Sequence, residues 1–488
     1  MQHTEILVVG GGGSGLAAAI AAAEAGKTVV LLEKAPVLGG STGWSIGSIT
    51  AAGTLDQREA GILDSPQQHL ADMPTWAGDQ LHRDNMDMCG LLTQMAPGVI
   101  EWLRSIGVEF IGPFAEPPHS LPRMHNVLPN SKSFIYHLSK RASKVGVKVY
   151  TKLQAERLIQ EGRYIVGVEA RDDKDKLHVF HTKAVILASG DFNASPDFKV
   201  EFNAHEQISI PAVNTYATGD GHRMARQAGA IVLNGDIAFN DPRFRFAPPP
   251  AQPWLLSLPP IKPITRLMRW GFKNIPAKFI RHFLMKFVTT ALAPEVNLFK
   301  KGALLINKNG EDFLHDGEKI GFGIARQPDG QAYALLDRNL IHQFSKWPNF
   351  ISTAPSVAYA YIDDYIRNRP DLCTMSNNLK QLALIQKMHP DGLEKSAAAA
   401  GLIEGPFLLL GPIHAFTILA DAGLAVSKRL EVIDKDNIPI PGLFAAGSTG
   451  QGGMLLKGHG HHLAWAFGSG RLAGSNAAEY VSHLTVSS

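Results

Sequence analysis

The sequence predicts an α/β fold built on a parallel sheet, and three observations carry that expectation. Ile6–Val9 is a short apolar run that leads directly into Gly10-Gly11-Gly12-Gly13-Ser14-Gly15 and then the alanine-rich stretch Leu16–Ala25. This is the order of a buried strand, a glycine turn and a helix. A second apolar run, Thr28–Leu32, ends at Glu33, 18 residues beyond Gly15. A third, Ala184–Leu187, runs into the small-residue turn Ala188-Ser189-Gly190.

Each part of the first unit has a physical task. Gly10 permits the tight turn, Gly12 lets backbone approach a pyrophosphate, and Gly15 allows close packing of helix on strand. The unpaired N–H groups of the helix start, at Gly13 and Ser14, then face phosphate. Glu33 stands where a carboxylate bonds a ribose 2′-OH, which argues against a 2′-phosphate. The unit is Rossmann-like and predicts dinucleotide binding. Gly39-Gly40-Ser41-Thr42-Gly43-Trp44-Ser45 is a hydroxyl-rich turn that suits either a flat cofactor or an ordinary surface bend.

Composition narrows the classes. The chain has 488 residues, 45% hydrophobic and 19% charged, enough for a large core and outside the range of disordered chains. Forty-seven Lys and Arg against 44 Asp and Glu give a net charge of +3, which does not mark a nucleic-acid binder. Two cysteines, Cys89 and Cys373, make neither a disulfide framework nor a thiolate metal site, and point to a reducing, cytoplasmic compartment. The strand-like start by residue 5 leaves no room for a secretory signal, and the uncharged stretches Ile6–Ala23 and Ile438–Leu456 are broken by glycine or proline.

Several segments together resemble the FAD-dependent fumarate reductase and 3-ketosteroid Δ1-dehydrogenase superfamily. They are Gly39-Gly40-Ser41, Ala188-Ser189-Gly190-Asp191-Phe192, Thr218-Gly219-Asp220-Gly221 and Pro441-Gly442-Leu443-Phe444-Ala445-Ala446-Gly447. The resemblance implies noncovalent FAD, because the Ser41-Thr42 stretch lacks the histidine that attaches FAD in succinate dehydrogenases. It assigns cofactor contacts to Gly10, Gly12, Gly13, Ser14, Gly15, Glu33, Lys34, Gly39, Gly40, Ser41 and Thr42, with Ala155 near the adenine. Ala188, Gly190, Asp220, Gly447, Ser448, Gly460 and His461 complete that set. It also implies an inserted α+β substrate-capping domain: residues 1–240 and 412–488 would form the FAD domain and 241–411 the cap. Gly302–Phe313 would form a cap hairpin turning at Asn309-Gly310, and Leu379–Ala383 a cap helix. Val147–Gln160 and Arg163–Ala170 read as paired strands, and the Pro-, Ser- and His-rich Gly112–Pro129 as a loop with His119 and His125 at the surface.

Within the cap, Pro242–Pro294 carries nine Lys or Arg and no acid, interleaved with Trp254, Trp270, Phe272, Phe279, Phe283 and Phe287. Such a stretch suits peripheral contact with an anionic membrane, a partner-facing helix or a flap over the cap.

The chain departs from the family where fumarate reductases place their catalytic and clamping cations: Ile320, Leu455, Ile418 and Leu419 occupy those positions. Met454 replaces a ketosteroid-dehydrogenase tyrosine, while Gly458 matches the glycine whose N–H polarises a ketone. These substitutions favour the ketone-dehydrogenase branch. The expected activity is oxidation of the CH–CH bond beside the carbonyl of a cyclic, largely apolar ketone, with a quinone as external acceptor. The alternatives are a reductase of an enone or unsaturated carboxylate, and a flavin-binding protein without turnover. Catalytic candidates are Gly458, His459, His462, His414, Tyr359 and Tyr361. No metal is expected, since the neighbouring histidines of 459–462 point in different directions.

Overall fold

The computed structural model describes residues 2–250, 258–276, 281, 285–286, 288–290, 292–315, 317–354 and 358–486. Its centre is a six-stranded sheet in the order Glu431–Ile433, Pro439–Ala445, Ala184–Leu187, Ile6–Val9, Val29–Leu32, Lys148–Tyr150. All neighbours run parallel except the first pair. Ile6–Val9, Val29–Leu32 and Ala184–Leu187 are buried at every position, which explains why they read as continuous apolar runs without alternation.

Helix Gly13–Glu24 lies against the terminal helix His461–Val486. Their crossing is closer than side chains permit. A Cβ on Gly470 would sit 2.3 Å from the Ser14 carbonyl oxygen, and one on Gly474 would sit 2.2 Å from that of Ala18. The nucleotide loop and the start of the last helix are thereby held in one rigid layer. A second, four-stranded sheet contains the antiparallel pair Leu153–Glu161 and Tyr164–Asp172 and packs near the central one.

The cap is a mostly antiparallel sheet with helices, inserted into the FAD-binding region. Its strands Arg243–Phe246, Phe407–Phe416, Gln331–Leu336 and Leu304–Ile306 lie in that order, and Cys373–Ser376 also pairs with Phe407–Phe416. It has its own apolar core, which includes Leu335, Tyr365 and Leu409, separate from the core around Leu7, Ile186 and Trp465.

Several local expectations change. Lys148–Tyr150 leaves the hairpin and becomes the outer strand of the central sheet, beside Val29–Leu32. Residues 112–129 are not a surface loop: Met124–Leu128 pairs with both Ser48–Thr50 and Glu109–Phe114, so Arg123 and His125 are fully buried and His119 is 8% exposed. Backbone pairing at both edges outweighs the proline-rich composition. Leu304–Ile306 pairs with Gln331–Leu336, and its own return is a single bridge, Ile306 to Asp312, around a turn closed by Gly310 N–H to Asn307. The cap helix spans Leu379–Ile385, and the last helix spans His461–Val486.

In the basic segment, helix Lys262–Asn274 directs its cations at acids of the same chain. Arg269 pairs with Asp56 at 3.1 Å and Glu109 at 3.2 Å, and Lys273 pairs with Glu59 at 3.0 Å. Arg281 pairs with Asp364 at 2.6 Å. Trp254, Lys278, Phe279, Phe283 and Phe287 lie outside the described residues. Among the described residues no helix is long and apolar enough to cross a membrane.

Candidate functional site

The nucleotide end is built from the glycine turn and the strand beside it. A Cβ on Gly15 would fall 1.8 Å from the Gly10 carbonyl oxygen, so only glycine fits that contact. At Gly12 the nearest atom to such a Cβ is 3.9 Å away, leaving an open face at the start of helix Gly13–Glu24, whose N-cap has no side-chain hydrogen bond. Glu33 is buried, and its two carboxylate oxygens accept N–H bonds from Gly11 and Ala35, both at 2.7 Å. Those bonds fix the carboxylate while leaving lone pairs for a ribose hydroxyl.

Gly39 and Gly40 have positive φ and open a short helix, Gly40–Trp44, with Thr42 Oγ1 accepting from Gly13 N at 3.2 Å. Ser41 Oγ accepts from Asn214 at 3.0 Å. Lys34 and Asp220 form an ion pair at 2.8 Å that joins the second strand to helix Asp220–Gln227. Ala155 is buried on its strand, Ala188 packs beneath the turn, and a Cβ at Gly190 would meet nothing within 4 Å. Gly447 donates to Ser469 Oγ at 2.9 Å and accepts from Trp465 at 3.1 Å, with half-buried Ser448 next in line. The open faces at Gly12 and Gly190, with the anchored Glu33 carboxylate, fit FAD.

The other end of the site is the turn Lys457–Gly460, from which the last helix starts. Gly458 and Gly460 both have φ near +90°. A Cβ on Gly458 would be 3.1 Å from the Trp76 ring, and one on Gly460 would be 2.5 Å from Thr50 N. The three histidines then diverge. His459 donates its backbone N–H to Glu116 at 3.0 Å and also places Nδ1 on that carboxylate. Burial pushes the Glu116 carboxyl up, but its bonds and charge contact with His459 outweigh this and hold it below the usual carboxylate range.

His462 faces buried Asp421 at 3.3 Å, and His461 turns inward, its Nε2 3.0 Å from that of His69. Burial, reinforced by neighbouring positive groups, pushes His461 down to about 3 and His119 down to about 4, and lowers His69 well below the usual histidine range.

On the cap, His414 of strand Phe407–Phe416 pairs in register with Arg245. Arg245 lies over the Phe416 ring at 4.7 Å and lines a cavity of about 170 Å³ with Phe246 and with Trp44, Ser45 and Ile46 of the opposite domain. Among the described residues no carboxylate forms an ion pair with Arg245. The ring neighbours of Tyr359 are Trp347 and Phe350, at 5.1 and 4.9 Å, and Arg281 covers Tyr361, so both tyrosines pack within the cap. The structure thus gathers His459, His461, His462 and Gly458 at one turn and sets His414 and the tyrosines on the other domain. Sequence reading missed Glu116, His69, Arg123 and Arg245. No local pattern marks them, since each gains its place through tertiary contacts.

Residues 5–242 match the family model described as an FAD binding domain. This part of the chain is an FAD binding domain. Over 97% of this chain and 74% of the relative's length, the sequence is 28% identical to the urocanate reductase of Eggerthella lenta. It is 24% identical to the vinyl phenol reductase of Lactiplantibacillus plantarum, covering 99% of this chain and 98% of that one.

The fold is shared with the open conformation of a flavocytochrome c3 fumarate reductase, at TM-score 0.73 and 21% identity over 98% of this chain and 79% of that one. It is shared also with 3-ketosteroid Δ1-dehydrogenase from Sterolibacterium denitrificans, at TM-score 0.65 and 15% identity over 98% of this chain and 100% of that one. The protein is an FAD-dependent oxidoreductase of the class that works on CH–CH or C=C bonds. The likeness extends to both branches of the superfamily and does not lean toward the ketone dehydrogenases as the sequence motifs suggested.

Proposed function

We propose that the protein reduces a carbon–carbon double bond conjugated to a carboxylate or carbonyl, with electrons from an external donor. The observation that carries this reading is Arg245, a cation with no carboxylate partner among the described residues that faces the cleft between the two domains. It supplies, from a different strand, the kind of charge that the sequence lacks at Ile320 and Leu455. Its fork of donors suits a carboxylate or a developing enolate oxygen, and His414 beside it adds a further donor. Similarity to a urocanate reductase and a vinyl phenol reductase supports reduction of a conjugated alkene.

FAD, when bound, supplies hydride exchange at carbon. The chain's own contribution is to hold the substrate's polar end and to move a proton. His459 does the second: its Nδ1–H bonds to Glu116, which fixes the ring and leaves Nε2 to hold or release a proton. Gly458, packed on Trp76, keeps that turn in place.

A second reading is oxidation of a steroid-like or alicyclic ketone with a quinone as acceptor. The match of Gly458 to the ketone-polarising glycine and the shared fold with a ketosteroid dehydrogenase support it. Anaerobic spectroscopy separates the two. Dithionite-reduced enzyme mixed with urocanate, 4-vinylphenol, fumarate or cyclohexenone should regain its oxidised flavin band with at least one of them. Bleaching of oxidised enzyme by a saturated 3-ketosteroid, with no reoxidation by any alkene, would overturn the reductase reading.

A further inference from the structure

Three histidines from distant parts of the chain meet behind Trp76. His69 lies on helix Pro66–Ala77, His119 in the connection between strands Glu109–Phe114 and Met124–Leu128, and His461 at the first residue of the last helix. His69 and His461 are fully buried and His119 nearly so. The ring centres form an almost equilateral triangle, with sides of 5.2, 5.2 and 5.3 Å. One nitrogen from each lies within 4.8 Å of the other two. For imidazoles bound at roughly 2.0–2.1 Å to a tetrahedral ion, the ring centres stand roughly 5.2 Å apart. The observed triangle has that size.

Hydrogen bonding within the group leaves it incomplete. His461 Nδ1 donates to the Lys457 carbonyl, so its Nε2 presents a lone pair toward His69 Nε2. His69 Nδ1 and His119 Nε2 are buried with no hydrogen-bond partner. Unpaired buried ring nitrogens are costly, and a bound cation is one partner that would use His119 Nε2.

The group borders a buried ion-pair cluster. Arg123, fully buried, donates to Asp64 at 2.7 and 3.0 Å and also to Asp72, so this cluster pairs two carboxylates with one guanidinium. Its net charge is negative. Asp72 Oδ2 is 3.9 Å from His119 Nδ1, while Arg123 Nη1 and Trp76 Nε1 lie 3.2 and 3.4 Å from the same nitrogen. Both of those groups can only donate, so Nδ1 accepts and the ring proton sits on Nε2; a metal at Nε2 shifts that proton to Nδ1, which then has to exchange Trp76 and Arg123 for Asp72 as its partner.

We propose that His69, His119 and His461 bind one divalent ion of the zinc class, backed by Asp72, Arg123 and Asp64. An all-imidazole set selects zinc, cobalt, nickel or copper over magnesium and calcium. The ion ties helix Pro66–Ala77 and the buried connection to the turn that carries Gly458 and His459, so its role is to position that turn. The histidine run 459–462 concealed this arrangement, because only one of its members takes part.

Cobalt reports on the site. Chelator-treated holoenzyme should take up one Co²⁺ per chain, with absorption to the red of the flavin band, and one equivalent of Zn²⁺ should displace it. His119→Ala and His69→Gln should lose that band and the stoichiometric metal at unchanged flavin content and circular dichroism. His178→Ala, which alters a surface ion pair, should keep both. Failure of the wild-type holoenzyme to take up stoichiometric Co²⁺ or Zn²⁺ overturns the proposal whether or not the variants fold. Equal uptake by folded His119→Ala does so too, since it assigns the metal to other histidines.

Discussion

On the FAD side of the cleft, Glu33 is tied to two backbone N–H groups, Glu116 to His459, and Asp421 to Asn240 and His462. On the cap side, Arg245 rests on an aromatic ring and has no acid to pair with among the described residues. The first set needs no reorganisation when its ligand arrives, and such preorganisation is what gives a fixed dipole its effect. The second, on the proposed reading, commits its charge only when substrate is present. On that reading, the difference separates a part of the site that holds a constant ligand from a part that recognises a changing one.

Breaking the prepared side should have the largest effect. Gly15→Val places carbon on the Gly10 carbonyl, and the purified variant should carry no flavin, with FAD affinity reduced roughly 1000-fold or more as the turn opens. Stoichiometric flavin in that variant, read from its absorbance ratio, would contradict the assigned role of the turn. His459→Ala should lower turnover about 100-fold while flavin content stays the same, and Glu116→Gln should cost less, about 10-fold, because the imidazole remains but loses its anchor. Equal losses would mean that the carboxylate itself carries the proton.

On the cap side, Arg245→Ala should raise KM for an acidic substrate about 30-fold, with a smaller change in kcat, as expected for one lost charge-assisted hydrogen bond. Arg245→Lys should recover part of it. An unchanged KM would remove the distinction between the two sides.

The smallest effect concerns stability. Burial holds the Asp191 carboxyl up at about 6, despite hydrogen bonds from Asn193 and Ala420. The folded chain therefore keeps this proton to higher pH than the unfolded chain, whose carboxyl titrates near the ordinary value of 3.8. This contribution to stability is present in full below that value and declines as pH rises toward 6. Asp191→Asn should flatten the decline and add roughly 1–2 kcal/mol at pH 8, the effect being shared with the nearby His462 and Asp421 charges. Denaturant melts at pH 4.5 and pH 8 would measure it.

The nucleotide turn was legible in the sequence because strand, glycines, helix and Glu33 are close neighbours in the chain, and each constraint acts locally. The cap face was not. Arg245 belongs to a segment whose composition reads as a solvated or membrane-facing surface, and only pairing with Phe407–Phe416 brings it to the cleft. His119 read as exposed because proline and serine surround it, yet the strands on either side draw its connection inward. His69, His119 and His461 become neighbours only after three separate segments have packed, so no spacing rule could join them.

The glycine-to-backbone crossing of the first and last helices also sets an order of assembly. During synthesis, the inner face of helix Gly13–Glu24 remains uncovered until Gly470 and Gly474 leave the ribosome, long after the cap sequence has emerged. Ala184–Leu187 likewise waits for Pro439–Ala445 to cover its free edge. The cap can gather its own core first, while the oldest part of the chain is the last to become firm. Cofactor capture is thus expected to wait for the last helix, and a product cut short before residue 461 should carry no flavin even when every phosphate-facing residue is present.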